Sequence, residues 1–508
     1  MKKLKFILII FAFIAFGCDK KLDLEPVGSI VETNFYKTQD DAIAAINACY
    51  NSILIMEGQG YYINPGYLIM GDIWSSDVQP HTDIVDYFQI QRYTLFPNNQ
   101  SVEELWILGY EGILRANLAL QKIPNINMDE TLKARLMGEA YFFRAFWYLR
   151  MVKFFGNVPL ILEPLQVSQL YPPQVPKETT YAQIEIDFLE AEKVLPATYS
   201  GMDIGRVTLG AAKVYLAELY MIQKEWAKAR VKLEDINGLG IYGLVDNYSD
   251  LFTGKADNSI EGVFEIQFTA FTGLNIGNFN TVTSSPNGEG LTPNGGWGWQ
   301  RPTQDIVDEF EVTPKEDPRL SASIFRKGDV FEGKVFEDQV HGTGFGERKW
   351  CISASMGSEL SWPFETSANV ILYRYAEVCL MYAEVLNELG ESSSAVTWIN
   401  KVRARPSVDM PPLSTTLTYD EVFEAIRHER RVELCFEQKT GYDLRRWGIA
   451  GSFLRSPQRW QNNITYNPQY DGTYFKFVDG QDEIFPIPQL EIDKSKGTLI
   501  QNPGYSSK

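Results

Sequence analysis

Leu136-Met-Gly-Glu-Ala-Tyr-Phe-Phe-Arg-Ala-Phe-Trp-Tyr-Leu-Arg-Met-Val-Lys-Phe-Phe155 decides the fold class of this chain. Leu136, Ala140, Phe143, Trp147, Met151 and Phe154 recur every three or four residues, which places them on one face of a helix. Trp226, Ala229, Leu233 and Ile236 repeat the pattern, just after a helix suggested by Ala212, Leu216 and Leu219. Tyr375, Cys379, Tyr382, Leu386 and Leu389 form a further stripe, stopped by Gly390 and followed by a helix through Val396, Ile399 and Val402. Short connections force such neighbours into antiparallel pairs.

The segments 207–237 and 371–405 therefore read as helix pairs of about the tetratricopeptide length, roughly 34 residues. Tyr-Leu-Ala-Glu-Leu-Tyr at 215–220 resembles that repeat's pattern of small and aromatic positions. Further pairs are expected from 102–155 and 181–195. The texture changes at 244–367. Val263-Phe-Glu-Ile-Gln-Phe268 alternates like a strand, and the Gly, Asn, Pro and Thr density from Gly273 to Pro302 argues for long loops. The expected architecture is mainly α: a helical scaffold over 35–243 and 368–450, a loop-rich insertion with a few short strands at 244–367, and a loop-rich C-terminal segment at 451–508.

The chain has 508 residues and a net charge of −18, from 65 Asp and Glu against 47 Lys and Arg. Such a surface repels phosphate backbones, which argues against a nucleic-acid partner. Its beginning is different in kind. Lys2, Lys3 and Lys5 precede an apolar run from Phe6 to Phe16 that is shorter than the roughly 20 residues needed to cross a bilayer. This pattern reads as a signal peptide over 1–17. Ala15-Phe16-Gly17-Cys18 resembles the lipobox of bacterial lipoproteins, so Cys18 is expected to carry lipid and 18–34 to act as a tether. The remaining cysteines, Cys49, Cys351, Cys379 and Cys435, are widely spaced and read as buried thiols.

Little here suits catalysis. Three histidines are present, His81, His341 and His428, and no GxSxG, HExxH, P-loop or EF-hand pattern occurs. Gly238, Gly240 and Gly243 spell GxGxxG but follow a helix, so they read as a helix stop and turn. His428-Glu-Arg-Arg-Val-Glu433 reads as alternating charges forming ion pairs on a helix. Two of 65 acids could lie at the separation glycoside hydrolysis needs, but sequence alone cannot select them. No metal or cofactor is expected.

Aromatic residues are plentiful, with 30 Phe, 26 Tyr and 11 Trp. Tyr61-Tyr62, Trp74, Tyr87-Phe88 and Trp297-Gly-Trp299 lie among Gly, Asn and Asp. Sugars pack their C–H faces on such rings while amides and carboxylates take the hydroxyls. Trp74, Trp297 and Trp299 are the candidate platform, with Asp77 and Asn294 as polar partners.

Larger blocks carry a resemblance. They are Arg144-Ala-Phe-Trp-Tyr148, Phe155-Gly-Asn-Val-Pro-Leu160, Arg374-Tyr-Ala-Glu-Val378, Leu380-Met-Tyr-Ala-Glu384, Ile426-Arg-His-Glu-Arg-Arg-Val-Glu-Leu434, Asp443-Leu-Arg-Arg-Trp447, Phe485-Pro-Ile-Pro488 and Asn502-Pro-Gly-Tyr505. In order and spacing these resemble the SusD/RagB family of outer-membrane nutrient-binding lipoproteins across essentially the whole chain. Gly296-Trp-Gly-Trp-Gln300 before Pro302-Thr-Gln-Asp305 also resembles a recurrent family element. The resemblance implies four tetratricopeptide-like helix pairs with a less regular half packed on them, and no catalysis. It also implies lipid anchoring at the outer membrane facing outward, and a SusC-like TonB-dependent transporter as partner. Arg144 and Arg374 are expected to bridge helices. One departure stands out: Gln438-Lys-Thr-Gly-Tyr442 occupies a place where the family usually has Gly and an Arg, which puts the local turn and its ion pairing in question.

The leading expectation is oligosaccharide capture for import. Peptide capture, an envelope glycoside hydrolase and a structural surface-assembly protein are the alternatives.

Overall fold

A computed structural model describes residues 35–57, 71–80, 85–269, 277–278, 280–287, 290–291, 296–338, 343–352, 366–456 and 476–505. Cys18 with the signal and tether, Tyr61-Tyr62, His81, Asn294 and His341 lie outside the described residues.

Eight helices pack in succession: α1 (Gln39–Glu57), α2 (Gln100–Lys122), α3 (Glu130–Phe155), α4 (Lys177–Val194), α5 (Leu209–Ile222), α6 (Trp226–Gly238), α7 (Tyr375–Glu388) and α8 (Ser392–Arg403). Side-chain caps start several of them. Asn99 accepts from the Val102 N–H, Asp129 from that of Leu132 and Thr208 from that of Ala211, each satisfying a donor the helix cannot. Gly109 and Gly112 let α3 approach α2 closely, because a Cβ on Gly112 would lie 2.0 Å from the Trp147 indole nitrogen. α6 stops at Gly238, and Gly240 turns the chain at φ +67°, as the helix-stop reading of that glycine run expects. Two more helices, α9 (Tyr419–Glu433) and α10 (Thr440–Arg446), follow the scaffold. Thr418 and Glu421 close α9's N-terminus in a capping box.

Helix α3 differs from its expected single apolar stripe. Phe142, Phe146 and Leu149 are as buried as Phe143 and Trp147, because α2 and α4 cover it on two sides and Phe264 of the insertion packs on Phe142. Its charged residues survive burial through pairing. Arg144 donates to both oxygens of Asp187 at 2.8 Å, tying α3 to α4 as the sequence suggested.

The insertion contributes short antiparallel strand pairs. β1 (Val78–Pro80) pairs with β3 (Gln300–Pro302), β2 (Gly262–Ile266) with β6 (Val370–Arg374), and β4 (Ile324–Arg326) with β5 (Phe345–Glu347). The alternation expected at 263–268 does not become one wet and one dry face. Val263, Phe264, Glu265 and Ile266 are all buried, and Glu265 is kept there by N–H donors from Asn258 and Asn369. Burial raises its carboxyl to about 7. Among its described residues the insertion also holds three short α-helices, Asn280–Ser284, Gln304–Glu309 and Pro318–Ser323, that its loop-like composition does not announce.

The C-terminal segment is latched onto the scaffold by main-chain and amide hydrogen bonds. Phe485 N–H donates to Phe154 O at 2.7 Å, and the Asn502 amide donates to Phe155 O and Phe485 O. These contacts give the Asn-Pro-Gly-Tyr ending a structural reason. All four described cysteines are free and buried.

Candidate functional site

The N-terminal loop and the insertion meet at the β1–β3 pair, so the sequence segments expected to share a site are adjacent. Gly296–Trp299 runs beside Val282–Ser285 and is held by three main-chain bonds: Trp297 N–H to Val282 O at 2.8 Å, Gly298 to Ser285 at 2.9 Å and Trp299 to Thr283 at 2.7 Å. Gly298 turns through φ +60°, a conformation that L side chains disfavour. Gly296 admits no side chain either, since a Cβ there would stand 2.1 Å from Ser285 O. The backbone of this element is thus rigidly seated while its two indoles stand half-buried.

The indole rings of Trp297 and Trp299 lie 5.1 Å apart at 45°, and both pack on Val282. Trp299 also meets the edge of Tyr87 at 6.2 Å. The recurrent element resembled at 296–300 therefore combines a structural backbone with partly exposed rings, a form that can receive the face of a flat, hydroxylated ligand.

Two residues expected at the ligand are not placed there. Trp74 is 1% exposed and lies inside a cluster with Phe485, Tyr442 and Phe154, at centroid distances of 4.6, 5.9 and 6.0 Å. The Arg445 guanidinium covers it at 3.2 Å. No face remains for a sugar, and its loop composition misled because the loop turns inward. Asp77 is fully buried and accepts from Arg431 Nη2 at 2.6 Å and Nε at 2.9 Å. Burial raises its carboxyl while Arg431 opposes that rise.

What sequence reasoning missed is how deep the charges of α9 lie. Glu429, Arg430, Arg431 and Glu433 are all buried, so the ion pairs read there hold the protein's interior together instead of decorating a helix surface. Arg431 gathers Asp77 from the N-terminal loop and both Asp305 and Glu309 from the helix Gln304–Glu309. The questioned turn after Glu437 keeps a left-handed backbone, with Phe436 at φ +60° and Gln438 at +64°, the region glycine adopts freely. Its ion pairing persists through Lys439, which meets Glu377 at 2.8 Å and donates to Leu372 O at 2.8 Å.

Among the described residues no group of His, Cys, Asp and Glu could hold a metal ion, and no helix is long and apolar enough to cross a membrane.

Comparison with known proteins gives this geometry a lineage. The family model described as "SusD family" matches residues 260–505, and one described as "Starch-binding associating with outer membrane" matches 73–221. The chain is 27% identical to SusD-like protein P2 of Formosa agariphila, over 99% of this chain and 100% of that relative. It is similar to the structure of a laminarin-binding SusD-like protein, with a TM-score of 0.77, 28% identity, and coverage of 92% of this chain and 100% of that one. It shares its fold with surface glycan-binding protein A of Bacteroides thetaiotaomicron in complex with laminarihexaose, at a TM-score of 0.76 and 23% identity over 92% of this chain and 100% of that one. With helical scaffold, insertion and terminal latch all accounted for, this chain belongs to the SusD family.

Proposed function

We propose that this chain is a surface-exposed lipoprotein that binds oligosaccharides and delivers them to a SusC-type TonB-dependent transporter. The observation that carries the binding half is the half-exposed Trp297–Trp299 pair on a rigid backbone, beside Tyr87, in a chain similar to a laminarin-binding relative. Fixed aromatic faces bury large area at small entropic cost, which suits sugar rings. Asn294 is proposed as a hydroxyl partner for the same ligand, and Cys18 as the lipidated residue that anchors the chain at the outer membrane.

Binding without cleavage is the reading the carboxylates support. Asp77, Asp305 and Glu309 are occupied by Arg431, and Glu429 and Glu433 by buried arginines, so these acids are engaged in ion pairs within the fold. Incubating the purified protein with soluble glycans and following both retention and product release tests this. Retention without release supports capture, whereas released sugar would replace it with hydrolysis. Co-purification of a TonB-dependent barrel from detergent-solubilised outer membrane tests the delivery half, and repeated recovery as an isolated chain would contradict it. Fatty-acid labelling that is equal in wild type and Cys18→Ala would contradict the anchor.

A further inference from the structure

A cleft of about 830 Å³ opens between α3, α5, α7 and α10, and neither Trp297, Trp299 nor Tyr87 lines it. Its exposed lining residues, Asn157, Lys177, Glu178 and Pro503, mark the mouth. A volume in this range is typical of small-molecule sites.

The charge of the walls is unlike that of the chain. Seven Lys and Arg side chains against six Asp and Glu line the cleft, in a protein where acids outnumber bases 65 to 47. Much of this charge is matched locally, as Lys153 with Glu218 at 2.5 Å and Lys439 with Glu377 at 2.8 Å. Two guanidinium groups are not fully matched. Arg445 donates to the main-chain oxygens of Trp74, Gly441 and Asp482 and meets the Tyr93 hydroxyl, but forms no ion pair among the described residues. Loss of surrounding water pushes its pKa below the ordinary arginine value. Arg430 is 4% exposed and uses Nε and Nη2 on Asp443 and Glu377, while its buried Nη1 has no hydrogen-bond partner among the described residues.

Buried donors of this kind are ordinarily satisfied, and a cation's donor most strongly by an anion. An acceptor is left over as well: Oδ1 of Asn280, 3% exposed and in the lining of the cleft, has no hydrogen bond among the described residues. A ligand that fills both needs carries a negative group and a hydroxyl together. Tyr181, Tyr373 and Tyr442 supply ring surface in the same walls.

We propose that this cleft is a second ligand site, independent of the tryptophan pair, that takes an acidic mono- or disaccharide of the uronate class. The carboxylate meets Arg430 and Arg445, a hydroxyl donates to Asn280, and the sugar ring lies against the tyrosines.

The test is calorimetric titration of the mature full-length chain with glucuronate, galacturonate and digalacturonate, each beside its neutral counterpart. At least one acidic probe is expected to saturate the protein with a Kd of about 1 mM or tighter, its neutral counterpart binding about tenfold or more weakly. Rising salt should weaken the acidic probe. Arg430→Gln should weaken it about tenfold or more while a neutral oligosaccharide still binds elsewhere. Should that variant not fold, Lys177→Glu reads the same field from the exposed mouth, where Lys177 forms no ion pair among the described residues, and should weaken the acidic probe several-fold. Saturation by none of the acidic probes, equal affinity for the neutral ones, or no effect of Lys177→Glu would overturn the site. Loss of neutral-glycan binding alone would instead count against the tryptophan pair.

Discussion

Arg374 Nη1 and Glu433 Oε1 meet at 2.6 Å with both side chains fully buried, joining the end of β6 to the end of α9. Glu433 also receives Arg405 at 2.9 Å and, on its other oxygen, Arg319 at 2.8 Å. Arg374 in turn reaches Glu261 and Glu437, and Lys349 joins it on the same oxygen, Oε1, of Glu437. The insertion and the second half of the scaffold are therefore bonded through one dry charge network.

Such a network is most sensitive to losing one member. Arg374→Met leaves Glu433 and Glu437 buried with a cation missing, and an uncompensated buried charge of this kind costs about 3–5 kcal/mol. Chemical denaturation should show that loss as a lower midpoint. Stability within about 1 kcal/mol of wild type would mean the network is not what holds these segments together.

His428 gives the protein a stability contribution with a definite pH window. Its Nδ1 lies 3.1 Å from Glu309 and its Nε2 3.3 Å from Glu311. Burial alone would lower its pKa, but the two carboxylates prevail and raise it from 6.5 to about 9. Hydrogen bonding to His428, with help from Arg403, lowers Glu311 to about 2 despite its partial burial. Because the folded histidine has the higher pKa, its contribution is complete below pH 6.5 and is lost as pH rises through about 9. His428→Gln should cost about 1–3 kcal/mol at pH 6, with the gap to wild type closing by about pH 10. A gap that does not change with pH would reject the charged pairing.

Trp74 is a core residue on this account. Trp74→Ala should cost about 3–5 kcal/mol in thermal or denaturant unfolding, because it empties the space between Phe485, Phe154 and Tyr442 and uncovers Arg445. A variant with wild-type stability would return Trp74 to the list of exposed rings.

The scaffold was legible in the sequence because helices announce themselves by local periodicity, and the stripes at 375–389 and 226–236 become α7 and α6 with their expected neighbours. Burial on more than one side was not legible: α3 carries Arg144 and Glu139 inside the protein, and their partners Asp187 and Arg206 sit far along the chain. Which candidate rings stay partly exposed was legible only in part for the same reason. Trp297 and Trp299 could be picked from a Gly-rich run, but Trp74 in similar company turns inward, since the direction of a loop depends on long-range contacts such as Arg445 and Phe485 that no local pattern encodes.

Oligosaccharide capture at the tryptophan pair is tested most directly by glycan-array binding followed by calorimetric titration of the best glycan against wild type, Trp297→Ala and Trp299→Ala. The account predicts saturable binding by wild type and a loss of at least about 2 kcal/mol, roughly thirtyfold in affinity, in one or both folded variants. No glycan retained by wild type, or unchanged affinity in both variants, would contradict it.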